Sequence, residues 1–253
     1  MRIVKVNKDS IANILSDLLK RSPTNYGDFQ DKVDAIIKNV RDNGDKAVFD
    51  YTAQFDKAEI NADNILVTEE EIKEAYEEVD DELIKVIRKA IKNIRDFHEK
   101  QIQKSWFETR EDGVMLGQKV TPMETCGVYV PGGKAVYPSS VLMNIVPAHV
   151  AGVKNIIMTT PPGKDGKVTA NTLVAAKEAG ATKVYKVGGA QAIAAMAFGT
   201  ESIPKVDKIV GPGNIFVALA KKAVYGNVSI DSIAGPSEIL VLADETANPR
   251  YVA

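Results

Sequence analysis

Cysteine and histidine are scarce in this 253-residue chain, with one Cys and two His against 32 Lys+Arg and 34 Asp+Glu. A single cysteine excludes an internal disulfide framework and favours a reducing, intracellular and hence cytoplasmic setting. His98, His149 and Cys126 are the only imidazole and thiol groups, and they lie far apart in sequence. A zinc site built from His and Cys within one copy of the chain is therefore not expected. No apolar run approaches the ~18 residues of a membrane span. The opening Met-Arg-Ile-Val-Lys-Val lacks the apolar core of a signal peptide. A net charge of -2 and a pI near 5.8 provide no global attraction to nucleic acid or to an acidic membrane. What remains is a chain long enough for one large domain or two small ones.

The residues that are present are distributed unevenly. Residues 1–120 hold 45 of the charged side chains but only 4 of the 18 glycines, and Pro23 is their single proline. The composition changes near residue 120 without a Ser/Gly-rich linker. The first part reads as helices. Val33, Ile36, Ile37 and Val40 recur at spacings of three and four, and Gly44 ends that stripe. A second segment runs from Asp45 to Phe55. Thr68 and Glu71 form a capping-box pattern opening a helix to about Val79. Asp81 opens another, with Leu83, Ile84, Ile87, Ala90, Ile91, Ile94 and Phe97 on one side. His98, near its end, reads as a surface residue.

From residue 121 short apolar runs alternate with helical segments. The runs are Gly127–Val130, Asn155–Thr159, Lys183–Val187, Lys208–Val210, Val228–Asp231 and Ile239–Leu242. Between them, Ser139 caps a helix that Pro147 kinks or interrupts, Thr169 to Ala179 is closed by Gly180, and helices occupy Ala190–Phe198 and the segment from Gly211-Pro-Gly-Asn214 to about Tyr225. His149 reads as a helix-packing or surface residue. The alternation predicts an α/β fold in which a helical N-terminal region precedes a mostly parallel sheet with right-handed crossovers. Three glycine turns follow strands: Pro131-Gly-Gly133, Gly188-Gly-Ala-Gln191 and Gly211-Pro-Gly-Asn214. Such turns let backbone N–H groups at helix N-termini approach an anion, at the carboxyl ends of the strands. The G-x-G-x-x-G fingerprint is absent, so any dinucleotide is held differently from the usual Rossmann mode. Ala234-Gly-Pro-Ser-Glu238 joins a turn, a hydroxyl and a carboxylate between two strand-like runs. It does not fit the G-x-S-x-G elbow, and no histidine lies nearby to activate Ser237.

Gly127-Val-Tyr-Val-Pro-Gly-Gly133, Val187-Gly-Gly-Ala-Gln-Ala-Ile193, Lys205-Val-Asp-Lys-Ile-Val-Gly-Pro-Gly-Asn214 and Ile230-Asp-Ser-Ile-Ala-Gly-Pro-Ser-Glu238 together resemble histidinol dehydrogenase. Gly44-Asp-Lys-Ala-Val48 and Tyr51 to Asp56 extend the resemblance over essentially the whole chain. It implies a zinc-dependent homodimer that oxidises L-histidinol through L-histidinal to L-histidine with two NAD, using Rossmann-like domains without the usual fingerprint. It assigns NAD contacts to Tyr129, Gln191 and Asn214 and a substrate contact to Ser237. It implies domains at 1–120 (part of a first α/β domain) and 121–238 (facing NAD), with 239–253 returning as a strand into the first.

The family's Ser-Gln-Ala-Glu-His metal segment and its acid/base pair are expected beyond Ala253. The resemblance thus implies an N-terminal portion with an incomplete sheet, no catalytic residue and no metal ligand of its own, inactive alone, with neither nucleic acid nor membrane as partner. The alternative expectation is a non-catalytic NAD- or anion-binding α/β module.

Overall fold

The structure is a computed structural model, and it describes residues 27–132, 137–233 and 239–252 together with residues 7, 10, 11, 13 and 16. Helix α1, Gly27–Phe55, buries the expected stripe of Val33, Ile36, Ile37 and Val40. It breaks at Gly44, whose φ of 54° and ψ of -136° are not helical. The Glu201 carboxylate accepts from the freed Asp45 N–H at 2.8 Å, and the Asp45 carboxylate accepts from Ser202 N–H at 3.2 Å. The break is thereby tied to a loop more than 150 residues away.

Helix α2, Glu69–Glu78, carries the predicted capping box. Glu71 N–H donates to Thr68 Oγ1 at 3.2 Å, and Thr68 N–H donates to Glu71 Oε2 at 2.9 Å. Helix α3, Asp81–His98, starts under Asp80, which accepts from Glu82 N–H at 2.9 Å. The charged face that the sequence shows is solvent-facing in part and bonded in part. Arg88 donates twice, at 2.8 Å each, to Glu178, which also accepts from the Tyr76 hydroxyl at 2.8 Å. A short 3-10 turn, Glu99–Gln101, follows.

Strands β1, Trp106–Thr109, and β2, Met115–Gln118, pair antiparallel as an exposed hairpin. The helical reading of residues 1–120 missed them. Each strand is only four residues long and lacks a buried face, so no alternation pattern distinguishes it. Five further strands form one parallel sheet: β3 (Thr125–Tyr129), β4 (Asn155–Thr160), β5 (Lys183–Lys186), β6 (Lys208–Val210) and β7 (Ser229–Ile230). Their spatial order is β5-β4-β3-β6-β7. The connecting helices are α4 (Pro138–Val150), α5 (Ala170–Ala179), α6 (Gly189–Phe198) and α7 (Ile215–Val224). A short helix, α8 (Pro249–Val252), lies near the end. No helix among the described residues is long and apolar enough to cross a membrane.

The pleat divides the core. Cys126, Val128 and Val130 point to the side covered by α2, α3, α4 and α5, with Ile156, Met158 and Val184. Tyr129, Ile157, Tyr185 and Ile209 point to the other, covered by α1, α6 and α7. Successive residues of a strand face opposite sides, so one run feeds both cores. Two local expectations differ from the structure. Helix α4 starts two residues earlier than predicted, with Tyr137 as the N-cap and Pro138 in the first turn, and it continues through Pro147 to Val150. Proline suits the first helical position because its missing N–H has no intrahelical partner there. Ile239–Leu242 form no strand: Ile239, Leu240 and Leu242 are about nine-tenths exposed, and no described backbone pairs with them. An apolar run becomes a strand only where a neighbour supplies the ladder.

Candidate nucleotide site

The strand order reverses between β3 and β6: β4 and β5 continue to one side of β3, and β6 lies on the other. In an open parallel sheet, the loops at such a switch diverge and leave a crevice outside the carboxyl ends of the strands. A cavity of about 840 Å³ occupies that position. Its wall takes Tyr129 and Pro131 from the end of β3, Pro161 after β4, Gly189 and Gln191 after β5, and Asn214 and Phe216 after β6. Helix α1 closes it with Lys32, Tyr51 and Phe55, and Asp56 joins them just after the helix ends.

Tyr129 is the last residue of β3 and is buried. Its Oη accepts from Gly189 N–H at 3.2 Å. Burial pushes the phenol up to about 12, so at neutral pH its proton stays on and remains available to donate. Gly189 opens α6 at φ +67°, and a Cβ there would stand 2.6 Å from Gln191 Oε1. Glycine therefore lets the chain turn over the Gln191 amide. Gln191 is fully buried, yet among the described residues neither its Nε2 nor its Oε1 has a hydrogen-bond partner. An amide has two donor hydrogens and an acceptor oxygen, and leaving it unmatched in the interior costs about 1–3 kcal/mol. Gly188 cannot cap α6 with a side chain, and among the described residues the Tyr129 hydroxyl is the side-chain oxygen that meets its first turn.

Asn214 is exposed and caps α7, its Oδ1 accepting from Phe216 N–H at 3.0 Å and Val217 N–H at 3.2 Å. The cap uses the carbonyl and leaves the amide nitrogen as donor. The turn that carries Asn214 is held from below. Gly211 lies at φ +117°, and a Cβ there would be 2.1 Å from the Tyr129 carbonyl oxygen. Buried Lys221 donates to Gly211 O at 3.0 Å and to the Asp231 carboxylate, which in turn accepts from Gly211 N–H at 2.9 Å. The turn after β6 is thus fixed to the segment leading out of β7.

The three residues singled out from the sequence as cofactor contacts, Tyr129, Gln191 and Asn214, therefore line one cavity. Ser237 lies outside the described residues. Asp56 escaped the sequence reading. It follows α1, its Oδ2 is buried without a partner, and burial raises its carboxyl to about 6. The one available signal was its position in the Tyr51-to-Asp56 segment. Tyr51 and Phe55, whose rings stack at 5.6 Å, and Phe216, edge-on to Phe29 at 5.5 Å, add aromatic surface that the strand-and-turn pattern did not reveal.

Elsewhere, Cys126, His98 and Lys208 line a second cavity of about 700 Å³. Burial pushes the Cys126 thiol up to about 11, so it is not a thiolate at neutral pH. His98 contacts Gln101 Oε1 at 2.6 Å through Nδ1, and the His149 ring covers Gly180. Among the described residues, no group of three or more His, Cys, Asp or Glu could hold a metal ion.

The sequence pattern of the family described as histidinol dehydrogenase matches residues 19–253. Among curated proteins, the chain is 55% identical over 254 residues to "Histidinol dehydrogenase" of Halalkalibacterium halodurans, covering all of this chain and 58% of that protein. It is 59% identical over 251 residues to the protein of the same name from Bacillus subtilis, covering 99% of this chain and again 58% of the relative. The chain thus spans under three-fifths of the length of these relatives. A crystal structure of histidinol dehydrogenase from Elizabethkingia anophelis superposes with a TM-score of 0.84 at 41% identity, covering 99% of this chain and 57% of that one. With its parallel sheet, its switch-point cavity and a match that takes in nearly every described residue, the chain belongs to the histidinol dehydrogenase family.

Proposed function

We propose that the chain binds NAD in the switch-point cavity and serves the oxidation of L-histidinol through L-histidinal to L-histidine. The observation that carries the reading is the fully buried Gln191 amide, unmatched among the described residues, in the cavity wall and in the first turn of a helix that its N-cap residue Gly188 cannot cap with a side chain. A polar group stays unpaired in an interior at a cost in stability, and a ligand with complementary groups removes that cost. Gln191 offers donors and an acceptor, the first turn of α6 favours the pyrophosphate, Asn214 Nδ2 donates, and the Tyr129 phenol borders the same space. When bound, the cofactor accepts hydride from the carbinol carbon. The chain's own part is to hold it: the aromatic walls exclude water, and the Lys221–Asp231 clamp keeps the β6–α7 turn in register.

The family resemblance also brings zinc, a homodimer, cytoplasmic residence and a substrate contact at Ser237, which we propose on that basis, with domain limits at 1–120, 121–238 and 239–253. The described residues offer no His, Cys, Asp or Glu cluster fit for zinc. Calorimetric titration of the 253-residue chain with NAD tests the reading. Saturable binding that Gln191→Met weakens at least tenfold supports it. No heat with the wild-type chain, or equal affinity in the variant, overturns the cofactor role of this cavity.

A further inference from the structure

We propose that Asp56 is the residue by which the cavity selects a nucleotide with a free adenosine ribose diol over one bearing a phosphate on that ring. The inference rests on the NAD reading and deepens it. Two electrostatic features border the cavity. One is the first turn of α6, which Gly188 cannot cap with a side chain and which suits phosphate. The other is the end of α1 at Phe55, where carbonyl groups give the helix its partial negative charge. Asp56 follows immediately, so a carboxylate and a helix C-terminus reinforce one another there.

Among the described residues, Lys32 and Asp56 are the charged side chains in the wall. Lys32 is exposed, and its field is screened by solvent. Asp56 Oδ2 is shielded from solvent and has no partner among the described residues, and its field acts at a lower effective dielectric. A carboxylate is an acceptor only, so its natural complement is a pair of hydroxyl donors, and a phosphate placed against it meets like charge. The neighbouring surface suits the base of the same nucleoside: Tyr51 and Phe55 stack nearly parallel, with an interplanar angle of 8°, and Phe55 is half exposed at the rim. Phe55 and Asp56 are adjacent in the chain and line one cavity, so a base on that rim and a diol at the carboxylate can belong to one nucleoside. Burial raises the carboxyl to about 6, so it is ionised at pH 8, where the selection acts in full.

The test is calorimetry at pH 8 with NAD and with NADP on the wild-type chain, Asp56→Asn and Asp56→Ser. The wild type is expected to favour NAD by at least about tenfold, and both variants to shrink that ratio about tenfold or more, by weakening NAD and strengthening NADP. An unchanged ratio alongside intact NAD binding overturns this inference and leaves the NAD reading standing. Failure of the wild type to bind NAD overturns both. If neither variant folds, the wild type is titrated with the adenosine 2′-deoxyribose analogue of NAD. A loss of about tenfold supports the diol contact, and affinity equal to that of NAD refutes it.

Discussion

Replacing Gln191 by Met tests the central feature of the site, because stability and binding should move in opposite directions. The side chain is fully buried, and both polar atoms of its amide lack partners. Methionine has similar length and flexibility but carries no amide to desolvate. Removing an unmatched buried amide is worth about 1–3 kcal/mol, and some of that is lost because the sulfur does not fill the amide's space perfectly. The variant should therefore be more stable than the wild type by about 1–2 kcal/mol, which for a domain of this size raises Tm by roughly 2–8 °C. With NAD at 100 times its Kd the wild type gains about 2.7 kcal/mol by linkage. The variant, with weakened binding, gains far less, so the order of stabilities reverses. Urea and thermal unfolding followed by circular dichroism, with and without NAD, read both quantities. A nucleotide-free variant less stable than the wild type would refute the reasoning, because it would mean that the amide is satisfied in the folded chain.

The clamp beneath the β6–α7 turn makes a second prediction. Lys221→Met should cost about 2–3 kcal/mol in urea unfolding, less than a fully buried pair because Asp231 is partly solvated. It should also lower NAD affinity by loosening Asn214, and a stability loss under about 0.5 kcal/mol would show that the pair is screened by solvent like an exposed ion pair. Gly211→Ala should destabilise by about 3 kcal/mol or more, since its Cβ meets the Tyr129 carbonyl at 2.1 Å and the φ of +117° is itself strained for alanine; neutral behaviour in thermal unfolding would contradict that close approach. Asp56→Asn should flatten the pH dependence of stability. The folded-state carboxyl titrates near 6 rather than at 3.8, so between those values the folded chain binds more protons than the unfolded chain, and stability falls as pH rises through the window. The group is only half buried, which reduces the effect to about 1 kcal/mol, fully developed above pH 6 and absent below pH 4. Parallel wild-type and variant profiles in urea unfolding across pH 4–8 would overturn the assignment.

The sequence by itself determined what depends on neighbours along the chain. The 3.6-residue stripe of α1, the Thr68–Glu71 box and the strands bounded by Gly and Pro are local patterns, and each appears where the spacing placed it. The turns that carry Tyr129, Gln191 and Asn214 were legible for the same reason, while the residues themselves were singled out by the family resemblance. The hairpin at residues 106–118 and the missing strand at 239–242 mark the limit of local reading: pairing partners, not propensity, decide whether a short apolar run forms a ladder.

Tertiary structure alone decided the order β5-β4-β3-β6-β7, because parallel strands are joined by crossovers whose destination the chain does not encode locally. That order opens the crevice between β3 and β6. It brings Gly189 onto the Tyr129 hydroxyl across 60 residues of sequence, carries Asp56 into the same wall from the end of α1, and leaves the Gln191 amide buried without a partner. Burial and long-range contact set these properties, and neither is present in the spacing of residues along the chain.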